Sequence, residues 1–160
     1  MSKKSVMGTV IGTALGAVGG AFLTKEKVDK ERKRQKQLAD KHLALFVMMC
    51  DWMRAKQEGK SLAGYLKEKG YKNVAIYGLS YAGERLLDEL RDNGVEVKYA
   101  VDKKADPVYF DTEICRPEED LEAVDAMIVT AITFYDEIKI MLEEKLQCPI
   151  LSLEDIIQEL

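Results

Sequence analysis

Apolar residues recur on two different periods along this chain, and the change of period divides it. Between Lys25 and Glu58 there is no Gly or Pro, and Leu38, His42, Leu45, Phe46, Met49, Trp52 and Met53 form a stripe at helical spacing. That spacing predicts one long amphipathic helix. Its Leu45 to Cys50 run is apolar on every side, so burial on more than one face is expected, against the body, a second chain, or both. Trp52 and the methionines read as core, and His42, with no other His, Cys or carboxylate constellation near it, reads as structural. Glu58-Gly59-Lys60 breaks the helix, and Ser61 can cap a short one that runs through Lys69 and stops at Gly70.

Beyond Gly70 the period shortens. Asn73 to Gly78 (NVAIYG) reads as a buried strand and Tyr81 to Asp92 as a helix with Leu86, Leu87 and Leu90 on its inner face, ended by Gly94. Val95 to Asp102 and Asp125 to Ala131 read as further strands, with a weaker one at Thr112 to Cys115. Phe134 to Lys145 reads as a helix, and Pro149 to Leu153 as a last strand before a terminal helix. Strands alternating with helices predict an α/β fold: a small parallel sheet of about five strands flanked by helices, with right-handed crossovers. The expected organisation is an N-terminal segment over 1–24, a helical linker over 25–60 and an α/β domain over 61–160.

The N-terminal segment carries the strongest repeat. No residue from Ser5 to Thr24 is charged, and Gly8, Gly12, Gly16 and Gly20 recur every fourth position. On a helix these glycines form a groove that lets a second backbone approach, which predicts a glycine-zipper helix that self-associates. Val6 to Leu23 would span about 27 Å, close to the ~30 Å of a bilayer's hydrocarbon. A spanning helix, an interfacial or oligomer-forming segment, and a secretory signal peptide are the three readings. Lys3-Lys4 and the small residues Ala17 to Ala21 suit the last, whereas the basic stretch Lys25 to Lys36 resists translocation. By the positive-inside rule that stretch outweighs Lys3 and Lys4, so the expectation is a membrane-associated protein with its C-terminal domain in the cytoplasm. The same run also reads as a solvated face with pairs such as Glu26 and Lys30.

Charge sharpens this division. Met1 to Lys41 holds ten Lys or Arg against four Asp or Glu, so the rest of a chain of net charge −4 is strongly acidic. The basic part suits anionic lipid headgroups, and the acidic body argues against nucleic acid as a partner. At 160 residues, 47% of them hydrophobic, the chain has room for one core plus an appendage. Cys50, Cys115 and Cys148 are far apart with no CxxC pair, which suggests neither a disulfide framework nor a metal site.

The candidate chemistry lies where the first strand turns into its helix. Gly78-Leu79-Ser80-Tyr81-Ala82-Gly83 resembles the dinucleotide fingerprint GxGxxG, with Ser80 at the second glycine. Asp102 ends the next strand at about the distance of the fingerprint's ribose-binding acid. Glu84, in the first helical turn, would satisfy the helix dipole itself and repel phosphate. Around the crevice expected at the strands' carboxyl ends stand Gly78, Ser80, Gly83, Asp102, Lys103, Lys104, Thr130 and Thr133. Read structurally, Ser80 and Thr133 are helix caps, Asp102 a turn residue and Lys103-Lys104 solvated charge. Tyr135 and Lys139 make the YxxxK pattern of short-chain dehydrogenases, but directly after the wrong strand, and Tyr65 and Lys69 repeat it by chance.

The segments KNVAIYGLSYAGERLLDEL, ICRPEEDL and DAMIVTA, with the strand ending at Asp102, give the region from about Leu62 to Leu160 a further likeness. It resembles Rossmann-like domains of bacterial cell-surface polysaccharide loci and is similar to the N-terminal nucleotide-sugar domain of sugar acyltransferases. No hexapeptide repeat of the kind that carries acetyl transfer in those enzymes is present. The resemblance implies binding of NAD or a nucleotide-sugar more than catalysis. The expected protein is a membrane-tethered, self-associating accessory or sensing module in envelope biosynthesis; the alternatives are a non-catalytic interaction scaffold with a degenerate nucleotide site, and an NAD-dependent oxidoreductase.

Overall fold

A computed structural model describes the backbone of residues 3–103 and 112–160, and the side chains of residues 25–103 and 112–160. The first helix is α1 (Lys3–Gln57). Contacts divide the chain into two units, Met1–Leu43 and Ala44–Leu160. Gly59 stops α1 in a left-handed conformation at φ +80°, as the Glu58-Gly59-Lys60 break predicts. α2 (Leu62–Glu68) follows, with the Ser61 hydroxyl accepting from Gly64 N at 3.0 Å as its N-cap.

The body alternates as expected: β1 (Asn73–Tyr77), α3 (Tyr81–Leu90), β2 (Glu96–Val101), β3 (Glu113–Cys115), β4 (Ala126–Val129), α4 (Tyr135–Glu143), β5 (Ile150–Ser152) and α5 (Leu153–Glu159). A 3₁₀ turn, Ile132–Phe134, precedes α4. All four strand pairings are parallel, in the order β3-β2-β1-β4-β5. The protein is therefore α/β, with a five-stranded parallel sheet flanked by helices.

Parallel sheets are covered on both faces, and the strand residues divide accordingly. Val74, Ile76, Ala100, Ala126 and Ile128 pack with residues of α1, α2, α3 and α5, among them Met48, Trp52, Leu66, Leu86, Leu90 and Ile156. Ala75, Tyr99, Val101, Met127 and Val129 pack on the other face with Leu142 and Leu146. Tyr99 donates its hydroxyl to Glu122 O at 2.7 Å, and burial pushes its phenol up to about 12.

Within the Ala44–Leu160 unit the body buries one side of the Leu45 to Cys50 run: Met48 is buried and Leu45 and Met49 pack against the core, whereas Phe46, Val47 and Cys50 are exposed in the single chain. Met53, read as core, is 62% exposed. Within one chain the body covers a single stripe of the helix. His42 is exposed. Among the described residues no helix is long and apolar enough to cross a membrane, and the side chains of the glycine-repeat segment Ser5 to Thr24 lie outside them.

Candidate functional site

The chain moves outward from β1 through β2 to β3, then crosses back to β4 on the other side of β1. The carboxyl ends of β1 and β4 thus flank the topological switch point, where open parallel sheets form their ligand crevices. The turn after β1 and the residues Thr130 to Thr133 after β4 meet there.

Gly78 leaves β1 at φ +97°, a conformation that L side chains rarely adopt. Its N–H donates to Val101 O at 2.8 Å, so the turn begins bonded to the end of β2. Gly83, in the first turn of α3, is held close against that turn. A Cβ there would collide with the Gly78 carbonyl oxygen and would lie 3.4 Å from Thr130 Oγ1. Gly78 and Gly83 therefore perform the tight turn and the close helix packing that the first and third fingerprint glycines perform. Ser80, at the second position, is the exposed N-cap residue of α3 and makes no side-chain cap bond.

Two side chains hold the turn from either side. The Asp102 carboxylate accepts from Leu79 N at 2.7 Å. The buried Thr130 hydroxyl donates towards Gly78 O at 2.7 Å and Tyr77 O at 3.2 Å. Thr130 thus serves the turn's own carbonyls, and Asp102 takes one of the turn's N–H groups. Burial raises the Tyr77 phenol's pKa, with the Asp102 carboxylate adding to the effect. Leu79 is buried, so the turn faces the crevice with backbone and with Ser80.

Charge at the turn is mixed. Glu84 occupies the first turn of α3 and sits 3.6 Å from the Arg85 guanidinium. Lys103 is exposed next to Asp102, and Lys104 lies outside the described residues. Thr133 is not the cap of α4: it is exposed within the 3₁₀ turn, and Phe134 occupies the N-cap. The 3₁₀ turn displaced the start of α4, which shape rather than composition decides.

The Tyr135 hydroxyl donates to Ile150 O at 2.7 Å, and the Lys139 ammonium lies 5.8 Å from its ring centre. The phenol ties α4 to β5. Among the described residues no three His, Cys, Asp or Glu side chains gather in a way that could hold a metal.

Sequence reasoning missed a second polar centre, Glu89. Its carboxylate, 6% exposed, accepts from Trp52 Nε1 at 2.8 Å, Lys56 Nζ at 2.9 Å and Leu62 N at 2.8 Å. It joins α1, α2 and α3, and it lines a cavity of about 350 Å³ with Met49, Trp52, Met53, Arg85 and Asp88. No local signal marks it, because its partners lie 27 to 37 residues away along the chain. In comparisons with known proteins, no family model, no curated protein and no solved structure matches this chain.

Proposed function

We propose that the protein is a membrane-tethered accessory or sensing module whose Rossmann-like domain binds a nucleotide or nucleotide-sugar at the β1/β4 switch point, in the setting of envelope polysaccharide biosynthesis. The observation that carries this reading is the meeting of the glycine turn and Asp102: the acid at the end of β2 is bonded to Leu79 N, inside the fingerprint turn. A carboxylate fixed beside a crevice is suited to accept hydrogen bonds from a ribose diol. Ser80 supplies a hydroxyl at the same edge. The anchor and the cytoplasmic placement rest on the uncharged glycine repeat and the basic residues that follow it.

The interaction-scaffold reading has its own support. Asp102 and Thr130 already satisfy groups of the turn, and α1 exposes large apolar side chains, with Phe46 at 66% and Met53 at 62%. Thermal unfolding of the detergent-solubilised chain against NAD, NADP, UDP, CDP and their sugar conjugates separates the two. A ligand at 100 times its dissociation constant stabilises by about 2.7 kcal/mol. Asp102→Asn keeps an oxygen for Leu79 N but removes the charge, so the nucleotide reading expects the shift to shrink in that variant. A cooperative melt that no compound moves would leave the scaffold reading in possession.

A further inference from the structure

The two ends of α3 are held in different ways. In its first turn Gly83 lies so close to the Gly78 carbonyl that a Cβ would collide with it, and Thr130 Oγ1 holds the same carbonyl oxygen at 2.7 Å. That contact has no slack, so a shift of α3 must displace or loosen the glycine turn. Near its other end Glu89 holds α3 to the last turns of α1, through Trp52 Nε1 at 2.8 Å and Lys56 Nζ at 2.9 Å, and to α2 through Leu62 N at 2.8 Å. The cavity of about 350 Å³ lies beside these bonds, lined by Met49 and Met53 of α1 and by Arg85 and Asp88 of α3. Packing of α1 on α3 is incomplete there. Two hydrogen bonds make the attachment on that side, and both can open while Leu62 N keeps its own.

We propose that α3 is a conformational link through which the seating of the last turns of α1 sets the order of the glycine turn. The helix has ten residues, about 15 Å, and Ala82, Leu86, Leu87 and Leu90 are buried along one face, so it responds as one piece. Unseating α1 takes two of three donors from a carboxylate that is 6% exposed, among them its ion-pair partner Lys56. A buried charge stripped of its partners is costly, and the cost is relieved when its end of α3 moves towards water. The tight contact at Gly83 carries that movement to the turn. Local openings that share an element are coupled, and the coupling acts equally in both directions. Its use as a control on ligand binding rests on the nucleotide reading above, whereas the link itself does not.

The test is residue-resolved amide hydrogen exchange on the full chain in detergent. Trp52→Phe removes the indole donor and Lys56→Met the ammonium, and neither touches α3 or the turn; the exposed Lys56 position keeps the experiment valid if Trp52→Phe does not fold. Exchange at Leu79 and Glu84 should rise about tenfold in Trp52→Phe and about threefold in Lys56→Met, with Asp125 and Met127, in the sheet away from α3, close to wild type. By reciprocity Gly83→Ala should speed exchange at Leu62 and in the last turn of α1. A rise at Leu62 with Leu79 and Glu84 unchanged would overturn the link. So would an equal rise at every amide, Met127 included, because that is loss of global stability, and so would no change at any amide. The melting series reads the ligand separately: coupled exchange in a chain whose melt no nucleotide moves would support the link and refute the nucleotide reading alone.

Discussion

Replacing Glu89 by Ala removes one carboxylate and strands three donors of unequal consequence. The Lys56 side chain is 53% exposed and regains water at little cost. Trp52 is 3% exposed and Leu62 0%, so the indole N–H and the first amide of α2 lose their acceptor inside the fold. A buried donor left without a partner costs about 1–3 kcal/mol, so the two together cost about 2–6 kcal/mol. That is a large part of the roughly 5–15 kcal/mol that holds a domain together. That corresponds to a fall in melting temperature on the order of 10 °C or more. Glu89→Gln, which keeps one acceptor oxygen, should fall between wild type and Glu89→Ala. Trp52 is the chain's single tryptophan, so its fluorescence in a urea titration follows both unfolding and the loss of its own hydrogen bond. A Glu89→Ala midpoint within about 1 kcal/mol of wild type, with Trp52 emission unchanged, would refute the reasoning.

Gly83→Ala places a methyl group against the Gly78 carbonyl and should destabilise by about 1–3 kcal/mol in the same titration; an unchanged midpoint would mean that the turn and α3 are not in close contact. Asp125 accepts from Asn73 N at 2.7 Å and Lys72 N at 2.8 Å, and these bonds hold its pKa below the ordinary 3.8. A depressed folded-state pKa adds stability above the unfolded value and loses it as the pH falls through the folded one. The gap between wild type and Asp125→Asn should thus be full at neutral pH and narrow below about 3.8; a gap that stays constant from neutral pH down to the acid limit of the folded state would dissociate Asp125 from these amides.

The sheet was legible because its central strands are apolar on both faces. NVAIY and AMIV read as short continuous apolar runs, and they became the two central neighbours β1 and β4. The turn was legible because only particular residues fit it, and Gly78 and Gly83 are held where a side chain would collide. What the sequence hid was direction. The period of the amphipathic helix could not say which apolar stripe the body would cover, and Phe46 and Met53, counted with Trp52, emerged on the outside. Thr130, singled out for a ligand, directs its hydroxyl at the turn's carbonyls. Glu89 was hidden because its partners come together only when three helices pack.

The two clamps on the glycine turn also set what kind of ligand suits it. With Leu79 N held by Asp102 and Gly78 O held by Thr130, the turn is ordered from both of β1's neighbours before anything binds. A ligand arriving there need not immobilise a loose loop, which spares part of the ordering entropy that binding otherwise costs. The same clamp places the Asp102 carboxylate inside the turn, with Glu84 in the first turn of α3. Negative charge at both points opposes a phosphate laid directly on the turn and favours hydroxyl donors. Under the proposed nucleotide reading, the ribose, or the sugar of a nucleotide-sugar, is the part of the ligand that this end of the sheet would recognise. Sugar-bearing compounds should outrank inorganic phosphate and pyrophosphate in the melting series, and a site that preferred pyrophosphate would require Asp102 to leave Leu79 N.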